Sequence, residues 1–287
     1  MEGKRYRMST KVSICVPVYN GEPFIRQTIE MILSQEYDNM EVLVSDNDST
    51  DNTVGEINKI KDERVRIIQN STNVGMGGNW NILMKEATGD YLMIVCADDF
   101  LLPGAVKAKA KVLDENSDVS IVFSSAYVMS EKGKKIMLRR PFKGNQWLEA
   151  KKTQKELFVK KNFFAEPTNN MLRRDAVLKT GEFDNNLWYT IDWEYWLRIL
   201  NTGNAYYIDK PYSGFRISGS SATGSSLSGK EKILKDEAVF MDKHKDGKYI
   251  PITPEMIEER EKNVKKRLNQ KVLFMKILTV FSKFIKR

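Results

Sequence analysis

Short apolar runs alternate with segments of helical periodicity through the first half of the chain. Residues 12–18 (Val-Ser-Ile-Cys-Val-Pro-Val) read as a strand and Tyr19-Asn20-Gly21 as the turn after it. Pro23 then suits the first turn of a helix whose apolar face is Ile25, Ile29, Ile32 and Leu33. A strand at 41–45 ends in the polar run Asp46-Asn47-Asp48-Ser49-Thr50-Asp51-Asn52-Thr53. After a helix come a strand at 65–68, a glycine-rich loop at 73–81 and a helix through Ala87. The run Tyr91-Leu-Met-Ile-Val-Cys-Ala97 breaks at Asp98 and Asp99, which fits a strand buried on both faces with two carboxylates just past its end. A helix near 105–113 and a strand at 119–123 continue the alternation, which predicts a doubly wound, mostly parallel central sheet with helices on both faces.

The rhythm is then lost. Residues 132–146 are polar and basic, 151–164 and 192–200 read as helices, and Glu194 and Arg198 are spaced for an i,i+4 ion pair. The Ser- and Gly-rich stretch 213–229 reads as a mobile loop, and there are no internal repeats.

Composition narrows the chemistry. The 287 residues carry a net charge of +8, which calls for an anionic partner: nucleotide phosphates, a lipid surface or nucleic acid. Cys15 and Cys96 sit inside apolar runs, so neither a disulfide framework nor a zinc set is expected, and a reducing cytoplasm is. No signal peptide or membrane span is read from the sequence. His244 is the only histidine and lies in a charged stretch, which argues against Ser-His-Asp and Cys-His mechanisms.

Open α/β sheets bind ligands beyond the C-terminal ends of their strands. Three polar loops fall there: Tyr19-Asn20, Asp46 to Asp51, and Asp98-Asp99. Adjacent carboxylates repel unless compensated, so a divalent cation shared with phosphate oxygens is one natural occupant. Helix capping is the other reading of both Asp clusters, and a simple turn is the other reading of Tyr19-Asn20.

Pro17-Val18-Tyr19-Asn20, the loop from Asp46 to Asp51, Asn73-x-Gly75, Ala97-Asp98-Asp99 and Asp192-Trp193-Glu194-Tyr195-Trp196-Leu197-Arg198 occur in an order that resembles a family 2 glycosyltransferase of the bacterial polysaccharide type, with the GT-A fold. The resemblance runs from about Val12 to Arg216. It implies a catalytic domain at 10–230, with a nucleotide-sugar-binding half at 10–105 and an acceptor half at 106–230, and a helical extension at 231–287. It places Pro17, Tyr19, Asn20, Asp46, Asn47, Asn73, Gly75, Asn79, Asp98 and Arg216 against the nucleotide-sugar donor, expected to be a UDP-sugar. Asp98 and Asp99 would hold Mn²⁺ or Mg²⁺, and Asp192 falls where the family keeps its catalytic base. A single displacement there inverts the anomeric configuration. Trp188 and Trp193 flank that base as candidates to stack on the acceptor, a glycan or lipid-linked glycan, whereas Trp196, Leu197, Ile199 and Leu200 read as core. For Asp192 the rival reading is a helix N-cap.

The sequence also departs from the family pattern. Cys96 stands where many relatives have the first Asp of Asp-x-Asp, Asn47 replaces a frequent Asp, Trp80 replaces an Arg, and Ser218 in Arg216-Ile217-Ser218 replaces a His. Those replacements leave the diphosphate to Arg216, with Ser220 and Ser221 in a lid.

Other classes fit less well. Gly224 to Lys230 nearly spells a phosphate loop but continues with Glu231, and Gly75, Gly77 and Gly78 are mis-spaced for a dinucleotide fingerprint. A sugar-nucleotide pyrophosphorylase would need a basic loop after the first strand, and a nucleic-acid-binding protein an aromatic platform; neither is present. From residue 262 to the end there are nine Lys or Arg and no Asp or Glu. Leu273, Phe274, Ile277, Leu278, Val280, Phe281, Phe284 and Ile285 share one half of a helical wheel opposite Lys271, Lys276, Lys283, Lys286 and Arg287. That pattern suits a helix lying on an anionic membrane surface, at the inner face of the plasma membrane, or one packed on protein.

Overall fold

A computed structural model describes residues 9–217 and 230–285, with side chains through residue 269. Its ten-stranded sheet is built around β1 (Val12–Val18), which lies parallel to and between β2 (Met40–Asp46) and β4 (Tyr91–Ile94), with β3 (Val65–Gln69) parallel beyond β2. Beyond β4 come β9 (Asn170–Arg173), β6 (Val119–Ser130), β10 (Asn204–Ile217) and the short β5 (Phe100–Leu101). β7 (Lys135–Arg139) pairs with β6, and β8 (Gln146–Leu148) with β10. The sheet is therefore mixed: β9 runs antiparallel to both β4 and β6, while β6 and β10 run parallel. Order 3-2-1-4 puts the reversal of winding between β1 and β4, where such sheets open a crevice.

Residues of β1 alternate between two cores, as the period of a strand requires. Val12, Ile14 and Val16 bury against α1 (Ile25–Leu33) and α4 (Ala105–Glu115). Cys15 faces α3 (Gly75–Glu86), and that core extends to α5 (Ala150–Val159) and α7 (Ile191–Ile199). The shorter α2 (Thr53–Asn58) and α6 (Arg174–Thr180) complete the outer layer.

The expected first-half elements are present with small shifts: Pro23 sits in the turn before α1, and α1 starts at Ile25. The glycine-rich loop differs more, because α3 already begins at Gly75. Gly75 enters it with φ +77°, a left-handed conformation that glycine tolerates. At Gly77 a Cβ would come within 2.4 Å of Asn185 Oδ1 and 2.9 Å of Ile191 Cδ1, so the glycine permits a helix–loop approach. In the second half the basic stretch holds β7 and β8, and residues 213–217 close β10, so the expected mobile loop there is a strand. Residues 218–229, including Ser218, Ser220, Ser221 and the near-phosphate-loop sequence, lie outside the described residues.

The C-terminal helices α8 (Lys230–His244) and α9 (Pro254–Ile285) do not stand apart from this body. Phe240, Ile250 and Met256 join the core of Trp193 and Trp196, and Ile233, Val264 and Leu268 pack on Trp188 and Tyr189. Arg260 is buried, donates from Nη2 to Glu237 Oε2 at 2.6 Å and lies 3.8 Å from the Phe240 ring centroid. The apolar tail face from Leu273 to Ile285 lies beyond the side chains described. Among the described residues no helix is long and apolar enough to cross a membrane.

Glu194 and Arg198 make the anticipated pair, with Nε to Oε1 at 2.7 Å and Nη2 to Oε2 at 2.9 Å, buried in α7. Lys243 reaches the same carboxylate at 3.1 Å and His244 lies 3.6 Å away, both from α8. Burial pushes Glu194 up, but His244, Arg198 and Lys243 outweigh it and hold the carboxyl at about 2. The stabilisation is therefore complete above the ordinary glutamate pKa and is lost as pH falls through about 2. Glu194→Gln, which leaves the buried Arg198 without its carboxylate while Lys243 keeps Asp184 at 2.7 Å, should cost about 3 kcal/mol in urea unfolding between pH 6 and 8, a loss that shrinks towards pH 2.

Candidate functional site

Beyond the pairing of Cys15 with Ile94, β1 runs on past β4, and the loops at this edge are tied by their polar side chains. Asn20 adopts φ +52° and accepts from Thr50 N at 2.8 Å, while its own N–H donates to Ser49 Oγ at 2.9 Å. Gly21 N donates to Thr53 Oγ1 at 2.8 Å and Glu22 N to Asp51 Oδ2 at 3.1 Å. The Asp- and Ser-rich run thus fastens the loop after β1 to the loop after β2. Asp46 is buried; its Oδ2 accepts from Ser49 N at 3.2 Å, and its Oδ1 has no hydrogen-bond partner.

A cavity of about 610 Å³ opens over these loops. Of the expected donor residues, Pro17, Tyr19, Asn20, Asn47, Asn73, Asn79 and Asp98 line it. Asp46, Gly75 and Arg216 do not. Tyr19 is half exposed and free to present its ring. Asn47 is committed elsewhere: Oδ1 accepts from Val74 N and Asn70 Nδ2, each at 3.0 Å, and Nδ2 donates to Asn73 Oδ1 at 2.9 Å. Asn79 likewise donates to Ser45 O at 3.1 Å and accepts from Asn70 Nδ2 at 3.1 Å. An amide with both ends spent shapes the wall but has little left for a base edge.

Arg216 also departs from the expected contact with diphosphate. Its guanidinium is buried between the Phe24 and Phe100 rings, at 4.2 and 3.9 Å from their centroids. It donates to Asp98 O, Glu131 O and Gln27 Oε1. All three nitrogens being used, Arg216 is a post beneath the Asp98-Asp99 turn.

Asp99 is buried, with Oδ2 accepting from Thr168 Oγ1 at 2.7 Å and Oδ1 from Arg216 N at 3.2 Å. Burial, then the charges of Asp98 and Glu166, push it well above the usual carboxylate range. Asp98 is raised too, by burial, against the lowering pull of its backbone hydrogen bond and of Arg216. The pair is thus short of positive charge. Among the described residues no group of three or more His, Cys, Asp or Glu could hold a metal. Two hard carboxylates short of compensation nevertheless suit a divalent cation whose remaining ligands come from water and phosphate.

A second cavity of about 460 Å³ shares Met76, Trp80, Cys96 and Asp98 with the first, and Asp99, Glu166, Trp188 and Asp192 line it. The two form one cleft. Asp192 stands in the first turn of α7, with Oδ1 accepting from Trp193 N at 2.7 Å and Oδ2 from Asn162 Nδ2 at 3.1 Å. Burial, helped by Glu166, raises it to about 7, a value poised for proton transfer near neutrality. The loop ahead of it is held from α8: Asp236 Oδ1 accepts from Trp188 N, and Oδ2 from Thr190 N, each at 2.8 Å.

Trp188 is partly exposed and lines the cleft, with Lys232 Nζ 4.6 Å from its ring centroid. Trp193 also lines it, yet is 5% exposed, donates to Leu157 O at 2.9 Å and carries the Arg260 and Arg267 guanidiniums 4.5 and 4.7 Å from its ring centroid. It is chiefly packing, which distinguishes it from Trp188. Sequence reasoning missed Arg139, Lys161, Asn162 and Arg267, all in this wall. Nearby Ala165 has φ +59°, rare for alanine, immediately before Glu166-Pro167.

Known proteins match this architecture. The profile described as Glycosyl transferase family 2 fits residues 13–181. A UDP-Glc:alpha-D-GlcNAc-diphosphoundecaprenol beta-1,3-glucosyltransferase of Escherichia coli, WfaP, is 35% identical over 117 residues, 41% of this chain and 46% of its own. S. aureus TarS 1–349 in complex with UDP-GlcNAc aligns with TM-score 0.68 at 17% identity, covering 88% of this chain and 71% of that one. The mannosyltransferase PcManGT from Pyrobaculum calidifontis, in complex with GDP-Man and Mn²⁺, aligns with TM-score 0.61 at 16% identity, covering 91% and 70%. At those identities the two structures show the shared GT-A fold.

The raised Asp192 pKa has a consequence for stability. An aspartate near 4 when unfolded and about 7 when folded stabilises the fold below pH 4, and that contribution is lost as pH rises through 7. Asp192→Asn should therefore match the wild type in thermal unfolding at pH 4 and exceed it at pH 8, by on the order of 2 kcal/mol.

Proposed function

The chain belongs to glycosyl transferase family 2, and from that premise we propose that it moves one sugar from a nucleotide donor, a UDP-sugar, to a hydroxyl of a glycan or lipid-linked glycan, with inversion, in cell-surface polysaccharide assembly. The observation that carries this reading is the single cleft in which Asp98 lines both compartments, with Asp99 beside it and Asp192 in the second. WfaP and TarS, whose names carry UDP-Glc and UDP-GlcNAc, support a UDP-sugar. The acceptor in the WfaP name, a sugar diphosphate on undecaprenol, supports a lipid-linked acceptor.

The chain's own groups divide the work. Tyr19 offers its exposed ring to the nucleobase, and Asn20, Asn47, Asn73 and Asn79 form the wall against the nucleoside. Asp98 and Asp99 would hold a divalent cation, Mn²⁺ or Mg²⁺, which when bound neutralises charge on the departing diphosphate. Asp192 takes the proton of the acceptor hydroxyl as its oxygen attacks the anomeric carbon from the face opposite the diphosphate. One displacement inverts that centre. Asn162 and the Trp193 N–H hold the Asp192 carboxylate in place, and Trp188 gives the acceptor ring an apolar surface.

Two substitutions separate these roles. Asp192→Asn should lower transfer at least ~1,000-fold and leave donor affinity, read by calorimetry with Mn²⁺, within a few-fold of the wild type. Asp99→Asn should abolish the cation-dependent part of donor binding. Wild-type transfer by Asp192→Asn, or no nucleotide-sugar stabilised by Mn²⁺ in a thermal-shift screen that includes UDP- and GDP-sugars, would overturn the reading.

The basic tail extends the proposal to an anionic membrane surface on the cytoplasmic side. Val264 and Leu268 pack on the body and Arg267 lines the cleft, so a clean truncation ends after Asn269 rather than after Lys262. The full chain should co-sediment with vesicles containing phosphatidylglycerol, less so at high salt, and the chain ending at Asn269 should not. Equal sedimentation of the two would refute membrane anchoring alone.

A further inference from the structure

A third cavity, of about 200 Å³, lies on the other side of Asn162 from the base and is unused by the reading above. It shares Arg139, Lys161, Asn162 and Ala165 with the Asp192 compartment and adds Ser124, Arg140 and Phe163. We propose that this cavity is a second acceptor subsite that takes an anionic group, a phosphate or a carboxylate, carried by the acceptor next to the sugar bearing the reacting hydroxyl. The proposal rests on the assignment of the Asp192 compartment to the acceptor.

Hydrogen-bonding capacity and charge both point this way. Arg139 pairs with Glu166 through Nη1 at 2.6 Å and Arg140 with Asp209, which leaves the exposed Lys161 ammonium with no carboxylate partner among the described residues. Arg139 Nε is buried with no hydrogen-bond partner among the described residues, and the guanidinium lies over the Phe215 ring with Cζ 5.2 Å from its centroid. Asn162 Oδ1 is also buried and unpartnered. A flipped amide would set its oxygen against the Ala165 carbonyl, to which Nδ2 donates at 3.4 Å, as well as against the Asp192 carboxylate. A ligand in this cavity meets the exposed Lys161 ammonium, with Arg139 and Arg140 in the wall beside it. Covering the Lys161 ammonium with a neutral group would cost desolvation that an anion offsets.

The charge gradient also orients the acceptor. Asp98, Asp99, Glu166 and Asp192 line the neighbouring compartment and repel an anion. The hydroxyl end is thereby directed to the base and the anionic end to Lys161 and Arg139. Asn162 lines both compartments, and its Nδ2 donates to Asp192.

The test uses the full chain saturated with UDP and Mn²⁺, so that the donor compartment is filled. Methyl glycosides of glucose, galactose and N-acetylglucosamine are titrated against the corresponding 1-phosphates, and methyl glucuronide supplies the carboxylate arm. At least one anionic probe should bind 10-fold or more tighter than its neutral counterpart, and the arm that does so identifies phosphate or carboxylate. High salt should shrink the difference, and Lys161→Gln, at an exposed position, should reduce it at least 5-fold. Equal binding of neutral and anionic probes, displacement of UDP by the probe, or a preference undiminished in Lys161→Gln would each overturn the proposal. Acceptor-independent hydrolysis of a nucleotide-sugar by the wild type reports the transferase reading separately, whichever way the titration falls.

Discussion

Two like charges, adjacent in sequence and lowered into the sheet edge at Asp98-Asp99, are the constraint around which the second half of the fold is arranged. The turn stands because distant elements meet beneath it. Arg216 arrives at the end of β10 to hold the carbonyl of Asp98 and to present a main-chain N–H to Asp99. Thr168 arrives in the short helical turn Pro167–Asn169 before β9 and donates to the other Asp99 oxygen. Asn169 Oδ1 in turn accepts from Ser124 of β6 at 2.7 Å and from Ser213 of β10 at 2.9 Å. Together these contacts give the antiparallel strand at the middle of the sheet a purpose: β9 follows the turn that carries support to the carboxylates. The remaining charge imbalance is left to whatever binds there.

How much of this was legible in the sequence follows from burial. The first four strands are covered on both faces or end in recognisable loops, so an apolar run and a polar break locate them. β7 resists the same reading because Ile136, Met137 and Leu138 are all exposed on an edge strand, with no alternation to detect. β10 is interrupted by Asp209-Lys210-Pro211, where the register with β6 shifts on both sides of Pro211. Proline cannot donate to the ladder, so strand and loop look alike there. Within the site, residue type and order brought Tyr19, Asn20, Asp98, Asp99, Asp192 and Trp188 to one cleft. They could not show whose hydrogen bonds were already spent. Asn47, Asn79, Arg216 and Trp193 have the right chemistry for ligand contact, yet each is saturated by protein partners. Arg139, Lys161 and Asn162 carry no motif and become visible only when β7 and the segment after α5 meet.

The net charge reads differently once the helices are placed. Arg198, Arg216 and Arg260 are buried and paired or stacked inside the protein, and Arg267 is largely so. These cations contribute to the formal count but little to the outer field. The C-terminal helices have a structural role: Asp236 holds the loop ahead of Asp192, and Arg260 and Arg267 brace Trp193 one residue after it. What looks in sequence like an appended basic segment is, through Leu268, packed on the body and contributes Arg267 to the cleft wall.

Gly77 lies where two walls of the cleft meet. α3 contributes Met76 and Trp80 to one wall and α7 contributes Asp192 to the other; at Gly77 the first helix rests on the tips of Asn185 and Ile191. A bare backbone there lets the two walls approach with only side-chain ends between them. A methyl group would have to displace those ends first, so the width of the cleft depends on how far Asn185 and Ile191 can give way.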